Sequence, residues 1–503
     1  MSNISSINND EHSPFGRLRQ FFWPIHNFEL KKLLPMLFLF FFISFNYSIL
    51  RNIKDALVIN AAGSPGADII PYLKLWCVIP CAILFMIIFT KLSSCLSKQQ
   101  MFYGLTSFFL GFFVLFAFVL YPNFEAIHPI TLQSTWLPEG FIAIFRIWSF
   151  SLFFVIAELW GSIILSLMFW GFANEITKVE ESKRFYALFG IGANIALEFS
   201  GRATSYFAKI GSSLPASMNA EKISIVGLLT LCCISSVIIM ALYRWISLHV
   251  LTDPKFHDST KVKVKKKKEQ KSLKDSFVFL FKSKYLMYIA MLVIAYGVSI
   301  NLIEVTWKNQ LKELYPSTIE YLAFQGMYNR LVGWTTVIMM LFVSGNVLRK
   351  FGWTITALIT PVTLLISGMG FFGCLIFKEQ LGPVFIMLGG MTPLLFAVIF
   401  GTFQNVISKS SKYSLFDPTK EMAYIPLDDE SKTNGKAAVD VVASRLGKAG
   451  GSLILQMLLL IGPLATITPH VAFIVFFIIF AWMFAVKKLG IEFSRMSSGN
   501  MSA

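Results

Sequence analysis

The residues of this chain that could do chemistry are charges set inside apolar runs. Arg51 and Lys54 stand three apart near the end of the first run, which puts them on one helix face. Glu158 lies deep in a later run, within Phe154-Val-Ile-Ala-Glu158-Leu-Trp-Gly-Ser162. Asn301, Glu304 and Lys308 recur at helical spacing in a third. Arg445 and Lys448 share a face in Ser444-Arg-Leu-Gly-Lys448-Ala-Gly-Gly-Ser452. A charge at the centre of a bilayer costs about 2.5–3.5 kcal/mol even on the lenient insertion scale, so such groups face water or one another. Pairing across helices accounts for any one of them. It does not account for the set, because Arg51, Lys54, Lys308, Arg445 and Lys448 meet only Asp55, Glu158 and Glu304. A polyanionic substrate would supply the missing negative charge, since Arg grips phosphate oxygens as a fork and Lys acts as a compact point charge.

Other chemistries find no support. Gly447-Lys448-Ala449 fails the phosphate-loop pattern, with no Ser or Thr after the lysine and Val442 where the first glycine belongs. Gly190-Ile-Gly192 lacks a third glycine, and no HExxH or GxSxG occurs. Cys77, Cys81, Cys95, Cys232, Cys233 and Cys374 form no CxxC and read as small apolar side chains. The histidines (His12, His26, His128, His249, His257 and His470) are scattered. The expectation is a chain that is not an enzyme and has no catalytic residues, no cofactor and no metal.

The elements that hold these charges follow from composition. Of 503 residues 55% are hydrophobic and only 14% charged, where a soluble domain carries roughly a quarter. The 51 Phe and 11 Trp suit a lipid-facing surface with interfacial aromatics. The formal charge of +16 is spread over short segments between apolar runs rather than gathered on one face, so it does not point to nucleic acid. At about 20 apolar residues per span, helices are expected near 33–58, 69–92, 101–121, 141–176, 185–207 and 223–245. A second set is expected near 285–311, 321–347, 353–377, 383–407, 437–461 and 467–486. The fold class is an all-α polytopic membrane protein with about 12 transmembrane helices. Its divisions are a tail (1–32), a six-helix bundle (33–246), a basic linker (247–284), a second six-helix bundle (285–487) and a tail (488–503).

Orientation follows from the positive-inside rule. Arg17, Arg19, Lys31 and Lys32, then Lys98, then Lys178, Lys183 and Arg184, fall in alternate connections. The linker run Lys261–Lys268, then Arg349 and Lys350, then Lys409, Lys412 and Lys420, and finally Lys487 and Lys488 continue the alternation. Both termini and the linker are expected to be cytoplasmic, and the N-terminal tail has the features of neither a secretory signal nor a transit peptide. The linker reads as a solvated segment that fixes topology, with attraction to anionic head groups as the other reading. The halves echo each other: Phe172-Ala-Asn174-Glu-Ile-Thr-Lys178 matches Phe403-Gln-Asn405-Val-Ile-Ser-Lys409 in step. Gly345-Asn-Val-Leu-Arg349-Lys350-Phe-Gly352 resembles the loop signature of major facilitator transporters, with Arg349 where that signature carries an acid. The architecture expected is therefore major-facilitator-like.

Over nearly its whole length, from Trp23-Pro-Ile25 to Phe484-Ala-Val-Lys487, the chain resembles the non-mitochondrial ATP/ADP translocases of obligate intracellular bacteria and plastids. The resemblance rests on Asn46-Tyr-Ser-Ile-Leu-Arg-Asn-Ile-Lys-Asp55, Ile156-Ala-Glu-Leu-Trp-Gly161, Lys183-Arg-Phe-Tyr186, Arg445-Leu-Gly-Lys-Ala-Gly-Gly451 and the long stretch from Tyr413 to Asp428. It implies exchange of ATP for ADP across the inner membrane of an intracellular bacterium, importing host energy. Relatives that carry other nucleotides, some with protons, make proton-coupled net nucleotide uptake the alternative. The residues that matter for transport in that family correspond to Lys54, Glu158, Glu304 and Lys448. On this reading Lys54, Arg445 and Lys448 hold phosphates, with Arg51 a further candidate, and Asn301 contacts base, ribose or phosphate. Glu158 and Glu304 restrain the lysines in the empty carrier and release them to substrate. A functional monomer is expected, because one chain supplies both halves of the cavity.

Overall fold

The computed structural model describes residues 25–177, 179–213, 215, 219–252, 283–387, 391–427, 435–436, 439 and 443–499. The tail before residue 25, Lys178, the run Lys261–Lys268 and the chain after residue 499 lie outside the described residues. Among the described residues all regular structure is helical. That is the outcome required of apolar runs in lipid, where every backbone N–H and C=O must be satisfied within the segment.

The first set of helices is α1 (Leu30–Asn60), α2 (Gly66–Ser93), α3 (Lys98–Ile127), α4 (Trp148–Ile176), α5 (Val179–Ser213) and α6 (Ala220–His249). The second is α7 (Lys284–Leu314), α8 (318–351), α9 (353–376), α10 (Pro393–Ser411), α11 (Ser444–Leu459) and α12 (Leu464–Gly499). α8 and α9 form one winding, Thr318–Ile376, broken at Gly352 with φ of 76°. Eight runs among the described residues are long and apolar enough to cross a membrane, and α5, α10 and α11 are not among them.

Two expected helices differ from the observed ones. The run 141–176 breaks at Ile147 (φ −114°, ψ 43°), leaving a short helix Glu139–Arg146 before α4. Arg146 fastens that short helix by donating to the carbonyls of Leu132 and Gly63 and to Glu139. The run 383–407 is not one helix: Lys378–Met387 stands apart, and α10 restarts where the Thr392 hydroxyl accepts from Leu395 N–H with Pro393 at the first helical position.

Lipid tails are as apolar as leucine, so close packing rather than water exclusion must join the helices. At the crossing of α7 and α11 a Cβ on Gly297 would lie 3.0 Å from the Cα of Gly447, so glycine on both sides is what permits the approach. Near the chain start, Lys32 pairs with Glu181 at 2.6 Å and Arg184 grips both oxygens of Glu29, tying α1 to the first turns of α5. Among the described residues, every recorded hydrogen bond and ion pair between α1–α6 and α7–α12 lies at or beyond mid-helix, on the side away from Leu30 and Lys284. These include Asp55–Lys308, Trp76–Gln456, Asn329–Asn52 and Glu198–Arg330. The two sets close on that distal side.

Candidate functional site

Where α1, α2, α4, α7 and α10 converge, the misplaced charges meet. Asp55 is 2% exposed and accepts from Lys54 at 2.9 Å and from Lys308 at 2.8 Å, joining α1 to α7. The Lys54 ammonium also contacts Glu158 on α4 at 2.9 Å and lies 3.8 Å from the ring centre of Phe154. Glu304 on α7 takes Arg51 from α1, Lys308 from its own helix at 3.3 Å and Lys409 from α10 at 3.5 Å. Lys74 on α2 donates to the Asn301 Oδ1 at 2.8 Å. The Asn301 amide in turn donates to the Lys448 carbonyl at 3.1 Å and the Ser452 hydroxyl at 2.9 Å.

Four cations thus share three carboxylates, and Lys74 rests on an uncharged amide. Lys448 and Arg445 on the first turns of α11 are exposed, and among the described residues neither has a recorded ion pair. Lys448 and Lys74 both lie within electrostatic reach of Glu158. The cluster is therefore cationic overall, its buried members locked at the distal closure and its exposed members toward the opposite side.

The structure brings Arg51, Lys54, Glu158, Asn301 and Glu304 into one connected network. Lys448 joins it through its backbone, and Arg445 stands apart from it. Lys409 requires a correction: expected in a connection, it is 8% exposed within α10 and reaches Glu304. The helix runs past it to Ser411 and continues in π-helical winding to Phe416, so Ser408-Lys-Ser-Ser-Lys412 is helix despite its polarity. Lys74 was also missed. It sits in the π-helical stretch Leu73–Val78, and such widened turns concentrate at functional sites. A lysine alone in an apolar run was the one available signal for it.

Comparison with known proteins bears on this arrangement. The family model described as TLC ATP/ADP transporter matches residues 8–493. ADP,ATP carrier protein 1 of Chlamydia pneumoniae is 51% identical, over 97% of this chain and 96% of that protein. The chloroplastic ADP,ATP carrier protein 1 of Arabidopsis thaliana is 47% identical, over 93% of this chain and 75% of its own. ADP,ATP carrier protein 1 of Rickettsia bellii is 43% identical, over 97% and 98%. Among solved structures, a bacterial homologue of the iron transporter ferroportin in an inward-facing state superposes with a TM-score of 0.59 at 12% identity, covering 92% of this chain and 99% of that one. The E. coli xylose transporter in an inward-open conformation gives 0.54 at 11%, covering 92% and 95%. At such identities the likeness concerns fold alone. The fold is a multi-pass helical membrane architecture like that of major facilitator transporters.

Proposed function

The chain belongs to the TLC ATP/ADP transporter family, and from that premise we propose that it exchanges ATP for ADP across a membrane by alternating access, with transport and no covalent chemistry. The observation that carries the site assignment is the surplus of cations over carboxylates where the two helix sets meet. A nucleotide polyphosphate supplies the missing anion. The chain sits in the inner membrane of an intracellular bacterium with both termini cytoplasmic, and works as a monomer of two six-helix bundles, 33–246 and 285–487, joined by the linker 247–284.

Each residue has a physical task in this reading. Arg445 and Lys448, exposed on the terminus side, meet the phosphates first. Asn301 orients the ligand by hydrogen bonding. The phosphates then compete with Glu158 for Lys54 and with Glu304 for Arg51, as charge-assisted bonds of the same kind. Lys74 and Lys409 add charge around the bound polyphosphate. Because the Arg51–Glu304 pair joins the two helix sets on the distal side, ligand that displaces it favours the switching state, and occupancy drives movement. Strict exchange follows, since the empty carrier restores its own ion pairs and stays closed.

The test is uptake of radiolabelled ATP into proteoliposomes loaded with ADP or left empty. Uptake only into loaded vesicles, insensitive to a protonophore, is the expected result. Uptake into empty vesicles that follows the proton gradient would replace exchange with proton-coupled nucleotide import.

A further inference from the structure

Two arginines stand apart from the transport site, on the outer surface of the helices. On α5, Phe199, Arg202 and Tyr206 follow the spacing of a single exposed face, and on α8 Arg330, Leu331 and Trp334 form another. These faces are apolar and aromatic, as lipid contact requires. The side chain of Arg202 is 66% exposed and that of Arg330 45%, while Glu198 between them is 7% exposed. Arg202 Nε donates to Glu198 Oε1 at 2.5 Å, and Arg330 Nε reaches Glu198 Oε2 at 3.4 Å. The two helices can approach this closely because a Cβ on Gly201 would lie 2.5 Å from the Gly326 carbonyl and 2.6 Å from the Arg330 Cγ. The seam so formed carries two guanidinium groups for one carboxylate, and Glu198 is their only recorded partner among the described residues.

Depth matters to what can neutralise the excess. Arg202 lies about 16 Å and Arg330 about 18 Å from the distal ends of their helices, at 1.5 Å per residue. The 35 residues of α5 extend roughly 52 Å, so centred on a hydrocarbon layer of about 30 Å the helix would project about 11 Å at each end. That leaves Arg202 about 5 Å inside the layer, close enough for its side chain to snorkel to the phosphate level. Water is scarce there and soluble anions are excluded. A lipid phosphate arrives at that depth with acyl chains that fit beside Phe199, Leu331 and Trp334.

We propose that Arg202 and Arg330 form a binding site for the phosphate of an anionic phospholipid on the distal, membrane-facing seam between α5 and α8. Arginine suits it by offering several donors in a planar fork, of which Glu198 occupies one on each side. Because α5 and α8 belong to different helix sets, a lipid seated here stabilises the distal closure.

The test is native mass spectrometry of the full chain in detergent, titrated with phosphatidylglycerol or phosphatidylcholine. Wild type is expected to hold phosphatidylglycerol more tightly, and each arginine removed is expected to weaken it about fivefold, the usual contribution of one cation at a membrane surface. The segment Lys261–Lys268 gives the same background in every variant, so the difference from R202Q/R330Q isolates the seam. Equal phosphatidylglycerol binding by R202Q/R330Q and wild type would overturn the proposal. So would unchanged lipid binding with an altered monomer–dimer ratio, which would make this face a contact between copies of the chain. Should the double variant fail to fold, R202Q decides: it leaves Glu198 balanced by Arg330, and an unchanged affinity in it would equally overturn the site.

Discussion

Substituting Asp55→Asn tests whether the ion pairs of the distal closure enforce exchange. Asp55 bonds Lys54 at 2.9 Å and Lys308 at 2.8 Å, with both lysines and the carboxylate nearly excluded from solvent. At an effective dielectric of about 20, each contact of that length represents roughly 6 kcal/mol of gross attraction. Desolvation of the ions offsets most of it, and removing one member of a buried pair costs about 3–5 kcal/mol. Only the Lys308 bond joins the two helix sets, since Lys54 and Asp55 share α1. Lys308 also keeps Glu304 at 3.3 Å. The lower end therefore applies, about 3 kcal/mol of closure lost, which shifts the closed-to-open ratio by roughly 150-fold. The assay is ATP uptake into proteoliposomes with and without internal ADP. The variant is expected to show uptake into empty vesicles that the wild type lacks. Asp55→Asn/Lys308→Met should recover thermal stability, by removing the buried cation left short of charge, without recovering the requirement for internal ADP. Uptake confined to loaded vesicles, with wild-type kinetics and melting temperature, would refute the reasoning.

Lys448→Ala should leave stability within about 0.5 kcal/mol, because the side chain is exposed, while raising the KM for nucleotide at least tenfold through loss of a charge-assisted phosphate bond. Exchange kinetics and a thermal melt check both halves of that statement. Gly297→Val should cost more than the roughly 1–3 kcal/mol of ordinary overpacking, because the added Cβ meets the Gly447 backbone rather than a movable side chain. Its yield of monodisperse protein in detergent should fall sharply, while Gly111→Ala, with no atom within 4 Å of the added Cβ, serves as the tolerated control. His128, in the connection between α3 and α4, lies 2.7 Å from the Ser149 hydroxyl, and burial holds its imidazole below its ordinary pKa of 6.5. A depressed imidazole contributes stability that is present above about pH 6.5 and is lost as the pH falls toward the folded value. The melting temperature should therefore drop on acidification below 6.5, and His128→Gln should flatten that slope.

The parts legible in the sequence were those fixed by local rules. Apolar length gave helices, and the cost of burying charge picked out Arg51, Lys54, Glu158 and Glu304 without any partner in view. Positions of helix breaks were harder to see, because Ile147 and Thr392 end or start helices through backbone turns and a side-chain cap within apolar surroundings. Lys409 was misjudged for a related reason. A lysine flanked by serines near a helix end has the composition of a connection, and only the continuing helix and the carboxylate on α7 make it a buried cation.

The sequence by itself determined the solvent this chain lives in, the helical class, the surplus of positive charge within the apolar runs and the family. Each depends on residue type and on spacing within one segment. The tertiary structure alone decided which charges meet. Asp55 and Lys308 are 253 positions apart, as are Arg51 and Glu304. Their pairing is set by how two helix sets pack, through glycine crossings and widened π-helical turns that carry no periodic signature. Which lysines are locked and which stay exposed likewise follows from the side on which those sets close, a property of the assembled bundle rather than of any stretch of chain.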